Sequence, residues 1–170
     1  MIELHRVGPS FTHQLVELWR TTFVEAYQGS LSDENISAYC DATYTIEVAN
    51  EFLSDPNVVC KVAFKGDVGV GFYLIKHHDC PIPLEGGATE MKQIYVLSSE
   101  YGSGTGNLLF EDAIQCVQNI NHKWMWLIVA DFNERAKSFY LKRNFESLGE
   151  GPILQIGKHP LTSTIMACEI

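Results

Sequence analysis

A strand that runs into three alternate glycines and then into a helix narrows the folds open to this chain more than anything else in it. The stretch reads Ala88-Thr-Glu-Met-Lys-Gln-Ile-Tyr-Val-Leu-Ser-Ser-Glu-Tyr-Gly-Ser-Gly-Thr-Gly-Asn-Leu-Leu109. Glycine has no Cβ, so Gly102, Gly104 and Gly106 let the main chain curl until several N–H groups face one hollow. The positive end of the following helix dipole points into the same place. Such a hollow suits a phosphate or pyrophosphate.

The spacing rules out the commonest phosphate motifs. A dinucleotide fingerprint needs Gly-x-Gly-x-x-Gly, and Asn107 stands where its third glycine belongs. A Walker loop ends in Gly-Lys-Ser/Thr, and no lysine follows these glycines. Taken alone, the turn remains open to a ligand-free reading. A second element argues against that: Trp124-Met-Trp-Leu-Ile-Val-Ala130 is an unbroken apolar run, as expected of a strand covered on both faces. A charged and aromatic helix pattern from Asn133 to about Arg143 follows it.

These two blocks together resemble the Gcn5-related N-acetyltransferases. The first block is Ile94-Tyr95-Val96, then Tyr101 to Gly106 with Leu108-Leu109; the second is Asn133, Ala136, Phe139, Tyr140 and Phe145. The first third of the chain, with Thr22 to Tyr27, Glu34-Asn35 and Ala38-Tyr39, and the closing Thr164-Ile-Met-Ala167 are similar to the PaiA-type polyamine acetyltransferases of bacteria. The resemblance implies an α/β (α+β) fold in one domain over residues 1–170. Its central sheet is expected to be mixed and mostly antiparallel, with splayed strands and flanking helices.

The implied reaction is acetyl transfer from acetyl-CoA, as co-substrate, to a primary amine. Gly102, Ser103, Gly104, Thr105, Gly106 and Asn107 would hold the pyrophosphate. Ile94, Tyr95 and Val96 would pair with the pantetheine arm as an added strand, a bulge freeing their main-chain groups, and an N–H near Val96 would serve the oxyanion. Asn133 would bond the arm, cap its own helix, or do both. Tyr140, two turns along that helix, is the expected general acid, since a phenol of pKa about 10 matches a thiolate leaving group. Glu90 is the expected base, acting through water; a solvated surface glutamate is the bland alternative. Tyr27, Glu25 and Tyr39 are expected on the acceptor side, where aromatic and carboxylate groups suit an alkylammonium.

One departure from the family pattern stands out. Tyr101 occupies a position that usually carries arginine or glutamine, and the loop itself has no basic residue. Arg135, Lys137 or Lys142 are then left to reach the phosphates. A non-catalytic acyl-CoA-binding module would keep the glycines but lack the acid and base, so Tyr140 and Glu90 disfavour it.

Composition closes other doors. A formal net charge of −9 argues against a nucleic-acid partner and suits a cationic substrate. Five cysteines, none at metal-ligand spacing, read as buried thiols in a reducing compartment. His77-His78-Asp79-Cys80 cannot easily wrap one ion, so no metal is expected. Without a basic leader or an apolar run long enough to span a bilayer, the chain reads as cytoplasmic, with no membrane partner. Family analogy leaves a homodimer through the terminal strands open.

The remaining pattern orders the elements as β-α-α-α-β-β-β-α-β-α-β-β. Ile2–Val7 alternates as a first strand, Ser10 is the expected cap of the first helix, and Ser32 caps the second. Val58–Phe64 and Val68–Ile75 form a hairpin over Gly66-Asp67. Terminal strands are expected around 145–157 and 163–170.

Overall fold

Alternation along two long strands sorts the apolar residues into layers. The computed structural model describes residues 1–170. Strands β1 (Ile2–Arg6), β2 (Val58–Lys65), β3 (Val68–His77) and β4 (Ala88–Val96) form an antiparallel run. β5 (Trp124–Ala130) joins β4 in parallel, and β9 (Ser163–Glu169) and β6 (Glu146–Glu150) complete a seven-stranded sheet ordered β1-β2-β3-β4-β5-β9-β6. The mixed, mostly antiparallel sheet expected from the sequence is the sheet observed.

Helices α1 (Thr12–Tyr27), α2 (Asp33–Thr43) and α3 (Ile46–Ser54) cover one face. Their Leu15, Trp19, Phe23 and Ala49 pack on Cys60, Val62, Phe72 and Leu74. Helices α4 (Thr105–Asn119) and α5 (Glu134–Leu141) cover the other face. There Leu109, Ala113, Val117 and Tyr140 meet Tyr73, Ile75, Met125 and Leu127. Neighbouring residues of β3 thus go to opposite layers, Phe72 and Leu74 to one and Tyr73 and Ile75 to the other. Burying side chains of this size contributes about 1.5–3 kcal/mol each. A third, smaller cluster of Cys80, Ala88, Trp126, Ile165 and Ala167 closes the sheet beneath the 78–87 loop. No helix is long and apolar enough to cross a membrane.

Local signals placed most element ends. Ser32 accepts the Asn35 N–H and Thr45 the Val48 N–H, capping α2 and α3. Ser10 does not cap α1. It lies inside a 3-10 turn, Pro9–Phe11, whose cap residue is Gly8. The reason is Pro9, which lacks an N–H and sits without cost at a first helical position, drawing the start forward. Thr12 then ties the turn to α1 through a 2.7 Å bond to the Pro9 carbonyl.

The C-terminal region differs from expectation more. The strand expected around 145–157 is broken, and residues from 154 on form a separate hairpin of β7 (Leu154–Ile156) and β8 (His159–Leu161). A register shift between Ser147 and Gly149 ends regular pairing, and Pro152 has no N–H to continue a ladder. The hairpin tucks Ile156 into the core formed by α1–α3.

Candidate active site

The candidate cleft begins where two strands part. β4 and β5 pair only at Ala88↔Trp124, Thr89↔Met125 and Glu90↔Trp126. On the other side of β4, Leu74 faces Gln93 and Ile75 faces Met91, so Lys92 is an extra residue in the ladder. This is a bulge, which bends and twists its strand, and β4 leaves β5 just before it. Ile94, Tyr95 and Val96 stay paired with Tyr73, Phe72 and Gly71 along one edge only. Their opposite edge carries main-chain groups that β5 does not satisfy. Gly71 permits the close fit, because a Cβ there would lie 2.7 Å from Val96 Cγ1 and 2.9 Å from the Tyr95 carbonyl oxygen.

The parted strands open into a cavity of about 890 Å³, within the range of small-molecule sites. Its far end is the glycine turn. Gly102 and Gly104 have φ of +80° and +92°, and Gly104 is the cap residue of α4. The Ser103 N–H is spent on the Glu100 carbonyl at 3.1 Å, and the Thr105 N–H on Ser103 Oγ at 3.2 Å. The amides of Gly102, Gly104, Gly106 and Asn107 have no acceptor within the protein, and these same residues line the cavity. Ser103 and Thr105, expected there from the sequence, do not line it. Their hydroxyls bond each other at 2.8 Å, and Thr105 reaches the buried Glu100 carboxylate at 3.3 Å. Lys65 pairs with that carboxylate at 3.1 Å and holds it below the usual carboxylate range. Ser103 and Thr105 therefore build the loop, and the three glycines and Asn107 expose their amides.

Positive charge reaches the turn from α5. Arg135, Lys142 and Arg143 line the cavity. The Arg135 guanidinium sits 3.8 Å from the centre of the Tyr101 ring. Arg143 stacks 3.4 Å from the Phe139 ring centre, donates to the Phe139 carbonyl at 2.7 Å, and donates to Asn107 Oδ1. Lys137, weighed from sequence for this role, bonds the Asp131 carbonyl at 3.3 Å and does not line the cavity.

Tyr140 stands between the two ends, 9% exposed, packed on Phe139 and Phe145. Burial pushes its phenol well above the ordinary value, so it is a protonated donor at any working pH. Asn133 caps α5 by accepting the Ala136 N–H at 3.1 Å and also donates to the Tyr27 hydroxyl at 3.2 Å. Tyr27 and Tyr95 share a 3.3 Å hydroxyl contact. With Ala26, Ser30 and Phe132 these residues form the end opposite the glycines.

Besides Ser103 and Thr105, three more expected residues lie outside this cavity. The Glu25 carboxylate accepts the Ser98 N–H at 2.6 Å and so fastens α1 to the segment leading into the glycine turn. Tyr39 stacks on Phe23 at 4.7 Å and borders a smaller cavity with α2 and the β7–β8 hairpin. Glu90, 5% exposed, accepts from His78 Nε2 at 2.6 Å and from Lys92 Nζ at 3.1 Å. His77 bonds the Thr89 hydroxyl, so the two adjacent histidines face different partners. Sequence reading did not single out Ala26, Ser30, Phe132 or Arg143. Only Arg143 carried a signal, a cation at the end of the α5 pattern, and such cations ordinarily complement a helix dipole.

Comparison with known proteins agrees with this architecture. The model of the acetyltransferase (GNAT) family matches residues 12–145. An uncharacterized N-acetyltransferase of Mycobacterium tuberculosis is 25% identical over 158 residues, covering 92% of this chain and 96% of its own. The crystal structure of a PaiA N-acetyltransferase from Thermoplasma acidophilum, in complex with coenzyme A, is similar with a TM-score of 0.82 at 20% identity, covering 100% of this chain and 99% of its own. Arabidopsis thaliana NAA60, in complex with a bisubstrate analogue, is similar with a TM-score of 0.75 at 16% identity, over 100% and 99% of the two chains.

Proposed function

The chain belongs to the acetyltransferase (GNAT) family, and from that premise we propose that it transfers an acetyl group from acetyl-CoA to a primary amine of a small cationic acceptor, a polyamine in the first place. The observation that carries this reading is one continuous surface: the unpaired edge of Ile94–Val96 leads into the free amides of Gly102, Gly104, Gly106 and Asn107. The strand edge suits the amide-bearing pantetheine arm, and the free amides suit the diphosphate.

In this reading the bound thioester lies beside β4 with an N–H near Val96 on its carbonyl oxygen, a contact worth about 3 kcal/mol in other enzymes. The amine nitrogen attacks the carbonyl carbon, and the C–S bond breaks as the tetrahedral intermediate collapses. Tyr140 gives its proton to the departing sulfur and regains one, through water, from the nitrogen that loses its second proton as it becomes an amide. Glu90 takes the proton of the ammonium through water, and its bond to His78, which is partly exposed, gives that proton a route to solvent. Asn133 fixes Tyr27, so the acceptor meets a preset phenol edge.

The polyamine preference is supported by the likeness to the PaiA fold and by the net charge of −9. Tyr39 acts in this reading through packing behind the acceptor wall, and Glu25 by fastening α1 to the segment before the glycine turn. Five free cysteines fit a reducing cytoplasm, and the exposed edge strand β6 fits self-association.

The test is thiol release from acetyl-CoA across a panel of polyamines, aminoglycosides, amino acids and peptide N-termini. Tyr140→Phe should lose about a hundredfold or more in turnover while binding CoA as before. Unchanged turnover would remove Tyr140 from the reaction, and no thiol release with any amine would leave only the fold.

A further inference from the structure

Tyr101 leaves the glycine turn without the cation that a diphosphate calls for, and the structure places one there from a distant element. The Arg143 guanidinium lies against the Phe139 ring, with the Phe110 ring 5.2 Å away, and donates both to the Phe139 carbonyl and to Asn107 Oδ1. Asn107 is one of the residues whose own N–H opens into the cavity. Arg20, Lys61, Lys65, Lys76 and Lys92 each have a carboxylate partner; Arg143 has none. Its contacts use two of five N–H donors and are all to neutral acceptors and rings; Glu111 acts on its charge from nearby without bonding it, so donors remain for an anion.

We propose that Arg143 is the guanidinium ligand of the coenzyme diphosphate, locked over the glycine turn by Asn107 and Phe139, and that it supplies the charge Tyr101 does not. The proposal rests on the coenzyme reading given above. It deepens that reading by naming a residue outside the glycine motif and by choosing between the phosphates. Asn107 belongs to the turn, so the contact is to the diphosphate and not to the 3′-phosphate. Arg135, resting on the Tyr101 ring, has no such tie to the turn.

Equilibrium titration of native protein, Arg143→Gln and Arg143→Lys with CoA, 3′-dephospho-CoA and acetylated pantetheine tests this. The glutamine variant should bind CoA and 3′-dephospho-CoA about tenfold more weakly, the loss of one charge-assisted fork. Lysine keeps charge without the fork and should fall in between. Turnover of acetylated pantetheine, which has no phosphate, should be unchanged, and that control separates phosphate binding from damage to the α5 terminus. Equal CoA affinity in Arg143→Gln would overturn the proposal. So would a defect that vanishes with 3′-dephospho-CoA, or one that persists with acetylated pantetheine. A native protein that binds no CoA would instead remove the coenzyme reading itself.

Discussion

The two ends of the cleft are built from different materials. The glycine end is made of main-chain N–H groups, held by a loop whose hydroxyls and carboxylate satisfy one another from within. The opposite end, lined by Tyr27, Tyr95 and Phe132, is backed by interlocked aromatic side chains. Phe23 packs on Tyr27 at 4.5 Å and on Tyr39 at 4.7 Å, and Tyr39 in turn meets Tyr44 at 5.6 Å. Burial pushes the Tyr39, Tyr44 and Tyr95 phenols up, so this wall stays neutral. A backbone site recognises a chemical group common to every acyl-CoA. A side-chain site can be recut residue by residue, and under the proposed function acceptor choice falls there. The difference teaches that the invariant half of the reaction rests on the part of the molecule least dependent on side chains.

The comparison breaks most visibly at Gly104. Its φ of +92° meets no steric neighbour, so Gly104→Val costs conformation and not space. The strain is about 1–3 kcal/mol, and the loop will relax by turning its amides. CoA affinity should fall about tenfold or more in titration, with acceptor Michaelis constant little changed. Retained affinity would show that the amides are not what holds the ligand.

Glu25→Gln gives a smaller effect of a different kind. Its carboxylate spans 73 positions to bond the Ser98 N–H. Losing a charge-assisted bond to a main-chain donor should lower stability by about 1 kcal/mol in denaturant melts. The acceptor Michaelis constant should stay put. A large rise in it would return Glu25 to the acceptor site and blur the contrast between the two ends.

The smallest effect is one of pH. Glu100 is held below its ordinary value first by Lys65. A carboxyl with a depressed folded value contributes stability that is present above its unfolded value near 4.5 and lost as pH falls through the folded one. Melting between pH 6 and 3 should therefore be less acid-sensitive in Glu100→Gln than in the native chain. Identical acid limbs would mean that the Lys65–Glu100 pair beneath the turn does not help to set it.

Much of this was legible in the residues because it depends on local physics. Gly102 and Gly104 announce positive φ, Trp124–Ala130 announces a strand covered on both sides, and Asn133 announces a cap. Pro9 and Pro152 misled for the same local reason: each moved an element boundary by removing one N–H. Glu25, Tyr39 and Glu90 were placed by family position, and nothing in their neighbours along the chain told which partners would occupy them.

The sequence by itself determined the order of elements up to the C-terminal strands, the two-layered sheet and the turn that offers its amides, since periodicity and glycine conformations act over a few residues. Only the tertiary structure decided that Arg143 would meet Asn107 across 36 positions and Asn133 would meet Tyr27 across 106. It also decided that Glu90 would face His78 and Lys92. Contacts of that span are selected by packing the whole core at once, and no local pattern encodes them.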